Sequence, residues 1–216
     1  VTLTYLVEDD QVRAFLEAMA EVRRSRLRTG ASSCELYQDA TQAVMGEGPP
    51  DAPLMCLGEQ PGDKEDQVGE PFVGPAGKLL DRALEEAGID PGSVFRTNVV
   101  KHFRFAGTRG KQRIHKSPTR VHVSACGPWL VAELHLVRPR GVVILGGTAG
   151  KAVFGSSFRV GETRGRLVDW PDAFPVDDPP EWVLPTTHPS AVLRSRNRDD
   201  DLAAFVADLR VAASAL

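Results

Sequence analysis

The stretch Leu54–Asp63 reads LMCLGEQPGD, in which four apolar residues are followed by a polar loop with two glycines. A buried strand that ends in such a loop is typical of open α/β sheets, which bind ligands beyond the carboxyl ends of their strands. Glu59 and Gln60 place a carboxylate and an amide between the two glycines. They are therefore the first candidates for a functional site.

Apolar, β-branched runs alternate with helical patterns along the whole chain, which predicts a parallel sheet covered on both faces. We expect strands at Leu54–Glu59, Val94–Val100, Gly141–Leu145 and Trp182–Pro185. We expect helices at Asp9–Arg24, Ala76–Ala87, Thr119–Val137, Ala149–Phe154 and Asp200–Ala213. The predicted fold is a three-layer α/β/α sandwich with a central four-stranded parallel sheet, and residues 1–216 are expected to form a single domain.

Composition is that of a globular protein rather than a membrane or disulfide-rich one. The 216 residues are 42% hydrophobic and 25% charged, which suits one core of ordinary size. No apolar run approaches the roughly 20 residues of a membrane span, and no signal peptide pattern opens the chain, so we expect a cytoplasmic protein without membrane partners. The three cysteines are odd in number and widely spaced, which argues against a disulfide framework.

One segment concentrates positive charge. Residues 96–120 contain eight Lys or Arg and no Asp or Glu, although the whole chain has a formal charge of -3. Such segregation favours binding to the phosphates of a nucleic acid. A solvated basic loop without a partner is the alternative.

Four further side chains are candidates for chemistry or for binding a flat ligand. His115 lies inside the basic segment and is the type of group that transfers protons or attacks as a nucleophile near neutral pH. His188 and Asn98 lie near the ends of predicted strands, and Phe72 lies between prolines and glycines. The alternatives are structural: a histidine of the core, an amide that ties loops together and an aromatic ring that anchors a loop.

Taken together, four motifs resemble the uracil-DNA glycosylase superfamily, particularly its bacterial iron-sulfur branch. They are GEQPG at 58–62, PFVG at 71–74, TNVVK at 97–101 and HPS at 188–190, and the resemblance covers nearly the whole chain. Residues 111–115, KQRIH, are similar to the Lys-Arg-Arg-Ile-His loop of the UdgX group, from which Gln112 departs. Members of that group become covalently attached to the uracil site in DNA through the loop histidine.

The resemblance implies a role for each matching residue. The catalytic residues would be His115, Glu59, His188 and Gln60; the uracil-binding residues Gly58, Gly62, Asp63, Phe72 and Asn98; the DNA-binding residues Lys111, Arg113, Lys116, Ser190, Leu193 and Arg194. Leu193 would wedge into the base stack. An alternative for the last segment is that Pro189 and Ser190 only begin the final helix.

The same resemblance implies a [4Fe-4S] cluster. Cys34, His102 and Cys126 match three of its ligand positions, but the fourth position is Ala31. Because clusters are normally held by four protein ligands, a cluster-free protein with ordinary buried thiols is the alternative. Cys56, inside the first strand, is expected to be a core residue.

The implied function is excision of uracil from single- or double-stranded DNA, with covalent capture of the sugar by His115. The implied setting is the cytoplasm of a bacterium, with association with the nucleoid when DNA is bound, and the protein is expected to be a monomer. Two alternatives stay open: a conventional hydrolytic uracil-DNA glycosylase that turns over, and a non-catalytic module that binds uracil-containing DNA.

Overall fold

A four-stranded parallel sheet forms the centre of the computed structural model, which describes residues 34–110 and 112–216. Its strands are β1 (Leu54–Gly58), β2 (Val94–Asn98), β5 (Gly141–Leu145) and β6 (Trp182–Thr186), in the order β2-β1-β5-β6. Leu54 pairs with Val94 on one side and with Gly141 on the other. Nearly every strand residue is buried, as expected for a parallel sheet with both faces covered.

Helices cover the two faces of the sheet. The helices are α1 (Asp63–Val68), α2 (Pro75–Glu86), α3 (Arg120–Val137), α4 (Gly147–Phe154), α5 (Val160–Thr163), α6 (Pro189–Arg194) and α7 (Arg198–Ala215). One hydrophobic cluster joins the sheet to α2, α6 and α7, and a second joins it to α3 and α4. The predicted three-layer α/β/α sandwich is therefore confirmed.

The predicted element boundaries need small corrections. Strand β1 ends at Gly58 and β2 at Asn98, where the ladder between them stops, while β6 extends to Thr186. Thr119 caps α3 instead of belonging to it, since it forms a reciprocal capping box with His122. The helix predicted at Asp9–Arg24 lies outside the described residues.

Several elements were not predicted. The basic segment contains an antiparallel hairpin of β3 (Phe105–Arg109) and β4 (Gln112–His115), in which Phe105 pairs with His115. Helices α1, α5 and α6 were also missed, and Pro189 begins the separate helix α6 rather than the last helix. Among the described residues, no helix is both long and apolar enough to cross a membrane.

Candidate active site

A cleft of about 810 Å³ opens at the carboxyl edge of the sheet, beside the hairpin. The loop after β1, the end of β2, the hairpin and helix α6 all contribute to its walls. The cleft brings together most of the side chains that the sequence singled out: Glu59, Gln60, Gly62, Asp63, Phe72, Asn98, Arg113, His115, His188, Ser190, Leu193 and Arg194.

Phe72 and Asn98 form the inner part of the cleft, and both are almost fully buried. Phe72 has a φ of 59°, a left-handed conformation that is rare outside glycine. Gly77 permits the close packing of α2 against it, because a Cβ at that position would lie 1.5 Å from the Phe72 carbonyl oxygen. At Gly58 a Cβ would lie 2.4 Å from Asn98 Oδ1 and 2.8 Å from Phe72 Cζ. A glycine is therefore required where the ring and the amide meet.

Glu65 supports this inner pocket from behind and was missed by the sequence analysis. Its side chain is buried on α1, and its Oε1 accepts a hydrogen bond of 2.9 Å from the backbone N–H of Gly74. This bond fixes the loop that carries Phe72. A glutamate two residues after Asp63, in a segment with no apolar periodicity, gave no signal of burial.

His188 is partly buried at the end of β6, with its ring 6.4 Å from that of Phe72 and inclined by 24°. Its Nδ1 accepts a hydrogen bond of 3.1 Å from the Ser190 backbone N–H. Burial lowers the pKa of His188 to about 4, and the charges of Arg194 and His115 act in the same direction. The imidazole is therefore neutral at physiological pH and carries its proton on Nε2, which makes that nitrogen a hydrogen-bond donor.

Glu59 and His115 meet across the mouth of the cleft. His115 Nε2 lies 3.5 Å from Glu59 Oε1, and the imidazole is 49% exposed while the carboxylate is 18% exposed. Glu59 Oε1 is buried and forms no hydrogen bond with the described residues. A carboxylate so placed can orient an imidazole or take up its proton.

Gln60 clamps the base of the hairpin. Its Nε2 donates to the carbonyl oxygens of Arg104, at 3.1 Å, and Lys116, at 3.2 Å. Its Oε1 accepts a hydrogen bond of 3.2 Å from the Arg104 backbone N–H. Because the amide is only 7% exposed and is engaged by both ends of the hairpin, Gln60 is a positioning residue.

Arg113, predicted to bind DNA, lines the cleft and forms ion pairs within the protein. Its guanidinium forms ion pairs with Asp63 at 2.5 Å and with Asp66 at 2.8 Å, and it lies over the rings of Phe103 and Phe105. Asp63, predicted to bind uracil, therefore has its charge neutralised by Arg113. Asp66 is fully buried and was missed, although its i, i+3 spacing from Asp63 would place both carboxylates on one helical face.

The other predicted DNA-binding residues lie mainly at the rim. Arg194 is exposed at the cleft, and Leu193 is partly buried against the core. Ser190 Oγ lies 2.8 Å from His188 Nδ1, so this hydroxyl orients the imidazole. Lys116 is exposed and does not line the cleft. Lys111 lies outside the described residues.

The three predicted metal ligands also come together. One ligand atom each from Cys34, His102 and Cys126 lies within 4.8 Å of the other two. His102 Nδ1 is buried and has no hydrogen-bond partner among the described residues. A hydrogen bond with Cys126 holds the pKa of the Cys34 thiol well below its usual range, as does the neighbouring His102. Cys56 is fully buried in β1, which raises the pKa of its thiol to about 12, as expected for a core residue.

Comparison with known proteins points to one family. The profile of the uracil DNA glycosylase superfamily matches residues 45–210. The chain is 34% identical to a type-4 uracil-DNA glycosylase of Thermotoga maritima, over 85% of this chain and 88% of that protein. It is 36% identical to a type-4 uracil-DNA glycosylase of Sulfurisphaera tokodaii, over 76% and 71% of the two chains, and 35% identical to one of Pyrobaculum aerophilum, over 74% and 78%.

Proposed function

This chain belongs to the uracil DNA glycosylase superfamily, and we propose that it excises uracil from DNA and then bonds covalently to the resulting sugar through His115. Its type-4 relatives support the glycosylase activity. Covalent capture is supported by the position of His115 at the mouth of the cleft, 3.5 Å from the Glu59 carboxylate. That contact is the observation that carries the proposal.

The inner pocket suits an extruded base. A glycosylase must take its base out of the stack and hold it by stacking and by hydrogen bonds to its edge. The Phe72 ring would stack on uracil, and the Asn98 amide, which carries both donors and an acceptor, would bind the edge of the base. Leu193 would fill the space that the base leaves, and Arg194 would contact a phosphate.

His188 would stabilise the leaving group. As the bond between C1′ and N1 breaks, its electron pair leaves with uracil, and negative charge spreads onto the uracil oxygens. The neutral imidazole of His188 would donate its Nε2 proton in a hydrogen bond to one of those oxygens. A donor held in place before the reaction stabilises such charge without reorganising.

His115 would then capture the sugar. The oxocarbenium-like sugar is electron-poor at C1′, and a lone pair of the His115 imidazole would form the new bond there. The imidazole would lose its ring proton to the Glu59 carboxylate, which leaves a neutral alkylated imidazole. The hairpin would favour histidine over water by holding it at a high effective concentration.

Two alternatives use the same cleft. In a conventional hydrolytic glycosylase, Glu59 would align a water molecule at C1′ and the basic hairpin would only bind DNA. In a non-catalytic module, uracil-containing DNA would bind with its glycosidic bond intact. A monomer is the state that we expect for any of these functions. Because the proposed substrate is DNA, we expect the protein to act in the cytoplasm, in association with the nucleoid.

The deciding experiment mixes the protein with a labelled single-stranded oligonucleotide that holds one uracil, followed by boiling in detergent and a denaturing gel. We expect a slow band that resists boiling, is absent with thymine in place of uracil and is lost in His115→Ser. The matched control is His135→Ser, an exposed histidine on α3, which should give the band.

Each of the other possible outcomes would support a different hypothesis. An adduct that survives in His115→Ser would refute the assignment of the nucleophile. Alkali-sensitive strand breakage without an adduct would indicate hydrolysis with turnover. A shift in a native gel with an intact glycosidic bond would indicate the non-catalytic module.

No step of this reaction passes through a metal. The [4Fe-4S] cluster implied by the family resemblance requires four ligands in its usual form, and the described residues offer Cys34, His102 and Cys126. These three ligand atoms do not fit a cubane well, because each thiolate of a cubane binds a different iron and the ligands are spread around it. The ligand atoms of Cys34, His102 and Cys126 all lie within 4.8 Å of one another, which is closer than the ligands of a cubane lie to each other.

A further inference from the structure

The spacing of the Cys34, His102 and Cys126 ligand atoms fits a single ion. Two thiolates about 2.3 Å from one tetrahedral Zn²⁺ lie about 3.8 Å apart, and an imidazole nitrogen in the same shell lies slightly closer to each. All three ligand atoms here fall within 4.8 Å of one another. Small side-chain adjustments would therefore close them around one ion.

The chemistry of the donors agrees with this geometry. His102 Nδ1 is a buried polar atom that no described residue satisfies, which is costly unless another group completes the site. Two cysteines and one histidine form a ligand set that zinc accepts, with the fourth position taken by water or another donor. At the position where the family resemblance places a fourth cysteine, Ala31 offers no ligand.

We propose that Cys34, His102 and Cys126 bind one Zn²⁺ ion and not an iron-sulfur cluster. Two thiolates neutralise the charge of the ion, so the site is electrically suited to its buried position. The inference is independent of the proposed reaction, because it concerns which metal the chain holds and not what happens in the cleft.

The ion would fasten the base of the hairpin to the rest of the fold. His102 directly precedes Phe103, whose ring lies under the Arg113 guanidinium and 6.2 Å from the ring of His115. Cys126 lies on α3, and Cys34 precedes the 3₁₀ turn Glu35–Gln38. A single ion would therefore join three separate parts of the chain beside the element that carries His115.

Metal analysis of the full chain tests the proposal directly. The protein is produced in medium that contains both iron and zinc, purified without oxygen, and assayed for zinc, iron and acid-labile sulfide. We expect about one zinc per chain and no sulfide. Iron and acid-labile sulfide in equal amounts, with the visible absorption of a cluster, would overturn the proposal.

Substitution and a spectroscopic probe locate the ion. Cobalt added to the metal-free protein should give the visible bands of a tetrahedral thiolate site in the wild-type protein and in Cys56→Ala, whose thiol lies elsewhere in the core. Cys34→Ser should not give them. If Cys34→Ser fails to fold, removal of zinc from the wild-type protein by a chelator should lower its Tm, and added Zn²⁺ should restore it. A protein that shows no cobalt bands and no change in Tm with zinc would refute the site.

Discussion

Replacing Gln60 with leucine should release the hairpin while leaving the catalytic side chains intact. The amide makes three hydrogen bonds to the backbone on the two sides of the hairpin. At about 1 kcal/mol each, their loss would weaken the docking of the hairpin by about 3 kcal/mol, which is roughly a hundredfold in the docking equilibrium constant. Leucine is similar in size, so the loss is one of hydrogen bonding and not of packing.

The rate of adduct formation measures the docked population. In a single-turnover experiment with the uracil oligonucleotide, Gln60→Leu should capture DNA up to roughly a hundredfold more slowly than wild type. Hydrogen exchange of the β3 and β4 amides should accelerate, while exchange in the central sheet stays unchanged. The matched control is Gln38→Leu at an exposed position, which should alter neither. A folded Gln60→Leu protein with wild-type capture and wild-type exchange would refute the clamp.

Three further predictions test separate parts of the structure. His188 has a pKa of about 4 when folded against 6.5 when unfolded, so the unfolded chain binds the proton more readily. The stability of the wild-type protein should therefore fall more between pH 6.5 and pH 4 than that of His188→Asn. Urea midpoints that fall equally with pH in the two proteins would contradict this. Lys101→Met leaves Glu133 buried without its ion pair and should lower the free energy of unfolding, measured in urea, by about 3–5 kcal/mol. The double variant Lys101→Met/Glu133→Gln should regain part of that free energy. A double variant no more stable than Lys101→Met would contradict the pairing. Gly58→Ala pushes a methyl group against Asn98 and should raise the half-saturating oligonucleotide concentration roughly tenfold. An unchanged half-saturating concentration would contradict the role of Asn98 in uracil binding.

The part of the site on the central sheet could be predicted from sequence. Parallel strands end at the same edge, so Glu59, Asn98 and His188 were expected to meet once each was placed at a strand end. Phe72 could be added because an aromatic ring among prolines and glycines has few regular places to pack. These expectations used only local patterns and one rule of sheet topology.

The hairpin and its supports could not be predicted in the same way. Strands β3 and β4 lack the alternation of apolar and polar residues that marks a half-buried strand. Their position depends on the contact between Arg113 and Asp66, which are distant in sequence, and on Gln60. Asp66 is a fully buried carboxylate, and acidic residues are expected at the surface unless a partner is known.

The placement of the hairpin also bears on why this protein would capture DNA instead of releasing it. In the proposed reaction, base cleavage uses Phe72, Asn98 and His188, which lie outside the hairpin, whereas capture uses His115, which the hairpin positions. If the two steps are separable in this way, loosening the hairpin should slow capture without slowing cleavage, and Glu59 would remain free to align water. Gln60→Leu should therefore raise the ratio of free uracil to adduct, measured in the same reaction. A fall in both products by the same factor would mean that His115 takes part in cleavage itself.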